Sequence, residues 1–81
     1  MKTQQNREAA INCIRQAAAK YPSAIICRDE VPVFTGGALS AGYMANLDSS
    51  GQGPANPFKV GRRQCYPVES LVEWLIGRLE V

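Results

Sequence analysis

The chain contains no histidine. That absence removes the side chain best suited to proton transfer near neutral pH, which is also the commonest metal ligand. Cysteine is sparse: Cys13, Cys27 and Cys65 are widely spaced, with no Cys-x-x-Cys pair. An odd number at such spacing argues against a disulfide framework, and without histidine a structural zinc site lacks a ligand set. The three cysteines read as small, half-buried hydrophobes of a reducing compartment. No apolar run reaches the roughly 18 residues of a membrane span. The segment from Met1 to Glu8 is polar and lacks the apolar region of a signal peptide. The expectation is a cytoplasmic protein with no membrane contact and no metal or other cofactor.

Catalytic groupings are also missing. The carboxylates Glu8, Asp29, Glu30, Asp48, Glu69, Glu73 and Glu80 are scattered, and no acid/base or nucleophile–base pair stands out. Gly36-Gly37 and Gly51-x-Gly53 lack the strand–loop–helix setting and the lysine of a phosphate loop. No enzyme is expected. Cys65 is the one candidate reactive thiol, because neighbouring Arg62 and Arg63 would lower its pKa.

What is present suits one small folded domain: 81 residues, 46% of them hydrophobic. The core is expected to be modest, since a short chain buries a limited share of its surface. The net charge is only +2. Its distribution is uneven. Residues 49–68 hold Lys59, Arg62 and Arg63 with no acidic residue, while the rest of the chain has six basic and seven acidic residues. Positive charge gathered on one segment is the footprint of a nucleic-acid contact.

That segment reads as a hairpin. Phe58-Lys-Val60 is β-compatible, Gly61 supplies the positive φ of a tight turn, and Gln64-Cys-Tyr66 returns. Two arginines at the tip suit phosphate contact. The plainer reading is a surface hairpin made soluble by charge. Pro67 fits the first turn of a following helix, where its missing N–H costs nothing. In that helix Val68, Leu71, Val72, Leu75, Ile76 and Leu79 keep three- and four-residue spacing, with Trp74 flanking the stripe as a core residue. Tyr66 is expected to pack against it.

Upstream, residues 3–20 read as a helix with Ala10, Ile14 and Ala17 or Ala18 on one stripe. Tyr21-Pro22 ends it. The stripe could pack on the domain or on a second copy. Ala24–Cys27 is a short buried strand. Arg28–Phe34 reads as a short helix, with an extended Val31–Phe34 as the competitor raised by Pro32. Thr35-Gly36-Gly37 closes it through a left-handed glycine. Ser40 is an N-cap, Met44 and Leu47 face inward with Leu39, and Ala41, Tyr43 and Asn46 face out. Residues 49–57 form a breaker-rich loop.

After the N-terminal helix the order is helix, glycine turn, helix, loop, basic hairpin, helix. The glycine-linked pair resembles a helix-turn-helix, whose second helix enters the DNA major groove, about 12 Å wide. The stretch from Thr35 to Pro54, the Phe58-Lys-Val-Gly-Arg-Arg63 hairpin and Tyr66-Pro-Val-Glu-Ser-Leu-Val-Glu-Trp-Leu75 together look like the small winged helix-turn-helix proteins of phages and mobile elements. These are the excisionase-like and AlpA-like proteins, related to the DNA-binding domain of MerR regulators. The resemblance covers about residues 25–79. It implies a mainly α fold with a small β-hairpin, in which residues 23–81 form a winged helix-turn-helix domain; residues 1–22 lie outside the shared pattern and are read separately as an extra helix for packing or oligomerisation. It implies double-stranded DNA as partner, in excision or transcription control, with an integrase or RNA polymerase alongside. Ser40, Tyr43 and Asn46 fall on the recognition helix at about 40–49; Lys59, Arg62 and Arg63 fall on the wing at about 58–66. Asn46 has the geometry for a bidentate contact to adenine, and Ser40 or the helix amides for a phosphate.

Other readings stand beside these. Tyr43 could cap the core, and Asn46 could bond the local backbone. The helix at 40–49 carries no Lys or Arg. Together with the apolar N-terminal helix, that supports an alternative: a protein-interaction module that keeps the winged fold without binding DNA. Cooperative placement on repeated sites, or dimerisation through the Ala10–Ile14–Ala18 stripe, is the expected route to tighter binding.

Overall fold

Helix α1 spans Lys2–Lys20. In this computed structural model the backbone is described for residues 2–80 and the side chains for residues 6–80. Strand β1 (Ile25–Cys27) runs into a 3-10 turn (Arg28–Glu30) and the single-turn helix α2 (Val31–Phe34). Helix α3 (Ala41–Ser49), strands β2 (Phe58–Val60) and β3 (Arg63–Pro67), and helix α4 (Val68–Gly77) complete the described residues. The result is a mixed α/β domain: four helices and a three-stranded antiparallel sheet in the order β1-β3-β2. The expected hairpin is therefore part of a larger sheet. Ile25, Ile26 and Cys27 pair with Pro67, Tyr66 and Cys65 and extend it by one strand.

The helix at 28–34 is helical throughout, so the extended alternative does not hold. Pro32 sits in the first turn of α2, where no intrahelical N–H is needed. Thr35 Oγ1 donates to Val31 O at 2.9 Å, and Gly36 and Gly37 take φ of 65° and 90° to turn the chain toward α3. Ser40 caps α3 by accepting the Tyr43 amide at 3.0 Å. At its other end α3 closes in a Schellman arrangement. The amides of Gly51 and Gln52 donate to Asp48 O and Leu47 O, with Gly51 at φ 75°.

Pro67 is not in the first turn of α4. It is the last residue of β3 and the N-cap of the helix, at φ −63° and ψ 136°. The register explains why proline is tolerated there. The amide of Val68 donates to Ala24 O at 2.9 Å, and antiparallel pairs alternate, so Pro67 falls opposite Ile25 at a non-hydrogen-bonded position. Helix α4 ends at Gly77, two residues short of the apolar stripe's end at Leu79.

The core lies between the sheet and the helices. Ile26, Val31, Met44, Leu47, Tyr66, Val68, Leu71 and Val72 are buried together. Helix α1 packs on α4, and its Ile14 and Ala18, with Tyr21, lie against this core. Two members of the stripe offered for self-association are thus used within the chain. Among the described residues, no helix is long and apolar enough to cross a membrane.

Candidate functional site

Two elements carry the residues singled out from the sequence: α3 and the β2–β3 hairpin. On α3, Met44 and Leu47 face the core. One face away from them, at helical spacing, stand Gly42, Asn46 and Ser49, all exposed. Asn46 makes no side-chain hydrogen bond to any described residue. Ser40 is exposed, but its hydroxyl is engaged in the cap. Tyr43 lies on the flank, 42% exposed, and its hydroxyl accepts a bond from Arg78 Nη2 at 2.9 Å. Arg78 in turn stacks over the Trp74 ring, 4.8 Å from the centroid. Tyr43 is therefore tied to the end of α4.

The hairpin is closed by Val60 opposite Arg63, leaving Gly61 and Arg62 as a two-residue turn. Gly61 has φ 62° and Arg62 a negative φ, the pattern of a type II′ turn. Lys59 lies opposite Gln64, on the face shared with Tyr66 and hence with α3; Arg63 lies on the other face. Arg63 is not free: it pairs with Asp29 Oδ2 at 2.9 Å, both side chains about two-thirds exposed. Of the hairpin's three cations, Lys59 and Arg62 have no acidic partner among the described residues.

Three side chains fix how α3 and the sheet meet. Asp48 Oδ2 accepts from Arg28 Nη2 at 2.6 Å and from the Tyr66 hydroxyl at 2.5 Å, and Arg28 Nε reaches the Tyr66 oxygen at 3.3 Å. They belong to α3, the 3-10 turn and β3. Gly53 closes the cluster from the loop, since a Cβ there would overlap the Asp48 carboxylate. The bond to Asp48, then that to Tyr66, holds the Arg28 pKa above its ordinary value. Burial, then the bond to Asp48, pushes the Tyr66 hydroxyl up to about 12.

The Tyr66 shift has a measurable consequence. The unfolded chain releases this proton near 10, and the folded chain holds it until about 12. The stabilisation is fully present below pH 10 and is lost as pH rises through 12, amounting to roughly 2–3 kcal/mol at full extent. Urea denaturation from about pH 9 to pH 12 should show this alkaline loss, and Tyr66→Phe should flatten it relative to the parent. An unchanged alkaline limb in the variant would assign the loss to other groups.

Cys65 is not an exposed thiol activated by Arg62 and Arg63. It is 1% exposed, and burial, then its contact with the Cys27 thiol, raises its pKa. Trp74 is half-buried against the core as expected, and its indole Nε1 also donates to Gln52 O at 2.8 Å, tying the loop after α3 to α4. The sequence reading missed Arg28, Asp48 and Arg78. Asp48 alone carried a signal: a carboxylate in the last turn of a helix opposes the dipole and calls for a cationic partner. Compared with known proteins, the chain matches no family model, no curated protein and no solved structure.

Proposed function

We propose that this chain binds double-stranded DNA as a small regulator, with α2 and α3 as a helix-turn-helix and the β2–β3 hairpin as its wing. Asn46 and Ser49 face the major groove, Lys59 and Arg62 meet the backbone or the minor groove, and the chain performs no chemistry. The observation that carries this reading is the pairing of two hairpin cations, which have no acidic partner among the described residues, with a sheet bonded to α3 through Arg28, Asp48 and Tyr66. A positive hairpin set at a fixed angle to an exposed polar helix face suits a duplex, where phosphate contacts position and base edges specify. Excision and transcription control both use such a module, with an integrase or an RNA polymerase as the protein partner. A single copy with so few cations should bind at micromolar strength or weaker. Self-association would tighten it; half-buried Ala10, on the first part of α1, is the member of the Ala10–Ile14–Ala18 stripe left for that contact.

One observation favours a protein-interaction module instead. The exposed face of α3 carries no cation, and an apolar groove of about 440 Å³ runs between α1, the α2–α3 turn and the end of α4, lined by Ile14, Phe34, Leu39 and Leu75. Fluorescence anisotropy with a labelled random duplex separates the readings. DNA binding is expected at low salt, with log K falling against log salt at a slope of about −2 to −3, as two or three phosphates are neutralised. No binding at low salt sinks the DNA reading.

A further inference from the structure

The thiols of Cys27 and Cys65 lie 3.5 Å apart, sulfur to sulfur. They come from β1 and β3 and are directly opposed in register. With the Ala24–Val68 bond setting the alternation, Cys27–Cys65 is a non-hydrogen-bonded pair, like Ile25–Pro67. Such pairs bring Cα atoms to about 4.5 Å, inside the span a disulfide bridges without backbone movement. Cys27 is half-buried and reachable from solvent, and Cys65 is enclosed behind it. Cys13 is exposed on α1 and is not bonded to either.

We propose that Cys27 and Cys65 are a redox modification site, closing to a reversible intrachain disulfide with the fold intact. The oxidant is a low-molecular-weight disulfide such as glutathione disulfide. The Cys27 thiolate attacks one glutathione sulfur, forming a mixed disulfide and expelling one glutathione thiolate. The Cys65 thiolate then attacks Cys27 Sγ, and the second glutathione leaves. Two protein thiols lose two electrons and two protons; one glutathione disulfide becomes two glutathiones. The bond encloses residues 28–64, which include α2, α3 and β2. It therefore ties β1 covalently to β3 at the root of the hairpin. Closing a loop of this length removes much unfolded-chain entropy, so the oxidised form should be the more stable one.

The test uses the full chain with Cys13→Ser, incubated in glutathione buffers of increasing oxidising strength. After acid quenching and denaturation, unreduced tryptic digests are read by mass spectrometry. The expected product is a linked pair of peptides, Tyr21–Arg28 with Gln64–Arg78, reversed by excess glutathione. The oxidised protein should keep its circular dichroism and melt roughly 10 °C or more above the reduced one. In the Cys65→Ala variant, Cys27 should stop as a glutathione adduct with no such rise. The proposal is overturned if both thiols stay free, if the parent halts at the Cys27 adduct, if the bond forms only between chains, or if oxidation unfolds the protein. DNA plays no part in these readouts, so the outcome is independent of the binding reading.

Discussion

Asp48→Ala is expected to destabilise the fold by about 2–4 kcal/mol, lowering Tm by roughly 10–20 °C in a domain of this size. The carboxylate accepts two bonds at once, from Arg28 and from Tyr66. Removing it leaves the Tyr66 hydroxyl, in a residue with no exposed surface, without its acceptor. An orphaned buried polar group costs about 1–3 kcal/mol. It also leaves Arg28 unpaired. The side chains of that pair are 25% and 13% exposed, so the ionic part falls between the roughly 0–1 kcal/mol of a surface pair and the 3–5 kcal/mol of breaking a buried one. Asp48→Asn keeps the shape and an acceptor, and should cost about half as much. Urea denaturation of both variants measures the series. A loss below about 0.5 kcal/mol for Asp48→Ala would reduce the cluster to a surface contact. Total stabilities of about 5–15 kcal/mol are usual, so the expected loss is a large share of what holds this domain together.

Replacing Lys59 and Arg62 together by alanine is expected to weaken duplex binding by at least about tenfold at low salt and to flatten the salt slope by about 2. These are the hairpin cations without an acidic partner among the described residues, and both are exposed. Lys59 stands on the α3 side of the sheet and Arg62 in the turn, so both can reach one duplex. Arg63 should behave differently. It lies on the opposite face of the sheet from Lys59 and is paired with Asp29, so Arg63→Ala alone should have the smaller effect. Unfolding curves guard the interpretation, because exposed substitutions of this kind usually shift stability by no more than about 0.5 kcal/mol. If the double variant binds as the parent does, the hairpin is not the contact surface. The apolar groove between α1, the α2–α3 turn and the end of α4 then becomes the surface to probe.

The two predictions are linked through one geometry. The hairpin can serve a duplex only if its angle to α3 is fixed, and that angle rests on the Asp48–Tyr66 bond and on Gly53 allowing the loop to close over the carboxylate. Asp48→Asn should therefore weaken binding more than its modest stability cost implies.

Local rules wrote much of this fold into the sequence. Helix α1, the stripe of α4, the Ser40 cap, the glycine turn at 36–37 and the hairpin tip at Gly61 each follow from residues a few positions apart. Periodicity, capping chemistry and positive φ are short-range effects, so the chain determined them unaided. Long-range pairing decided the rest. Only the register of β1 on β3 turned a hairpin into a three-stranded sheet and set Cys27 against Cys65. Ile14 and Ala18 proved to be packed inside the chain because α1 folds back on α4, a choice that a stripe alone leaves open. Only the tertiary structure gave Arg63 an acidic neighbour 34 residues away and Tyr43 an arginine 35 residues away. It likewise joined Asp48, Arg28 and Tyr66, because a charge in a short sequence window has no partner until the backbone has decided which distant groups share its space.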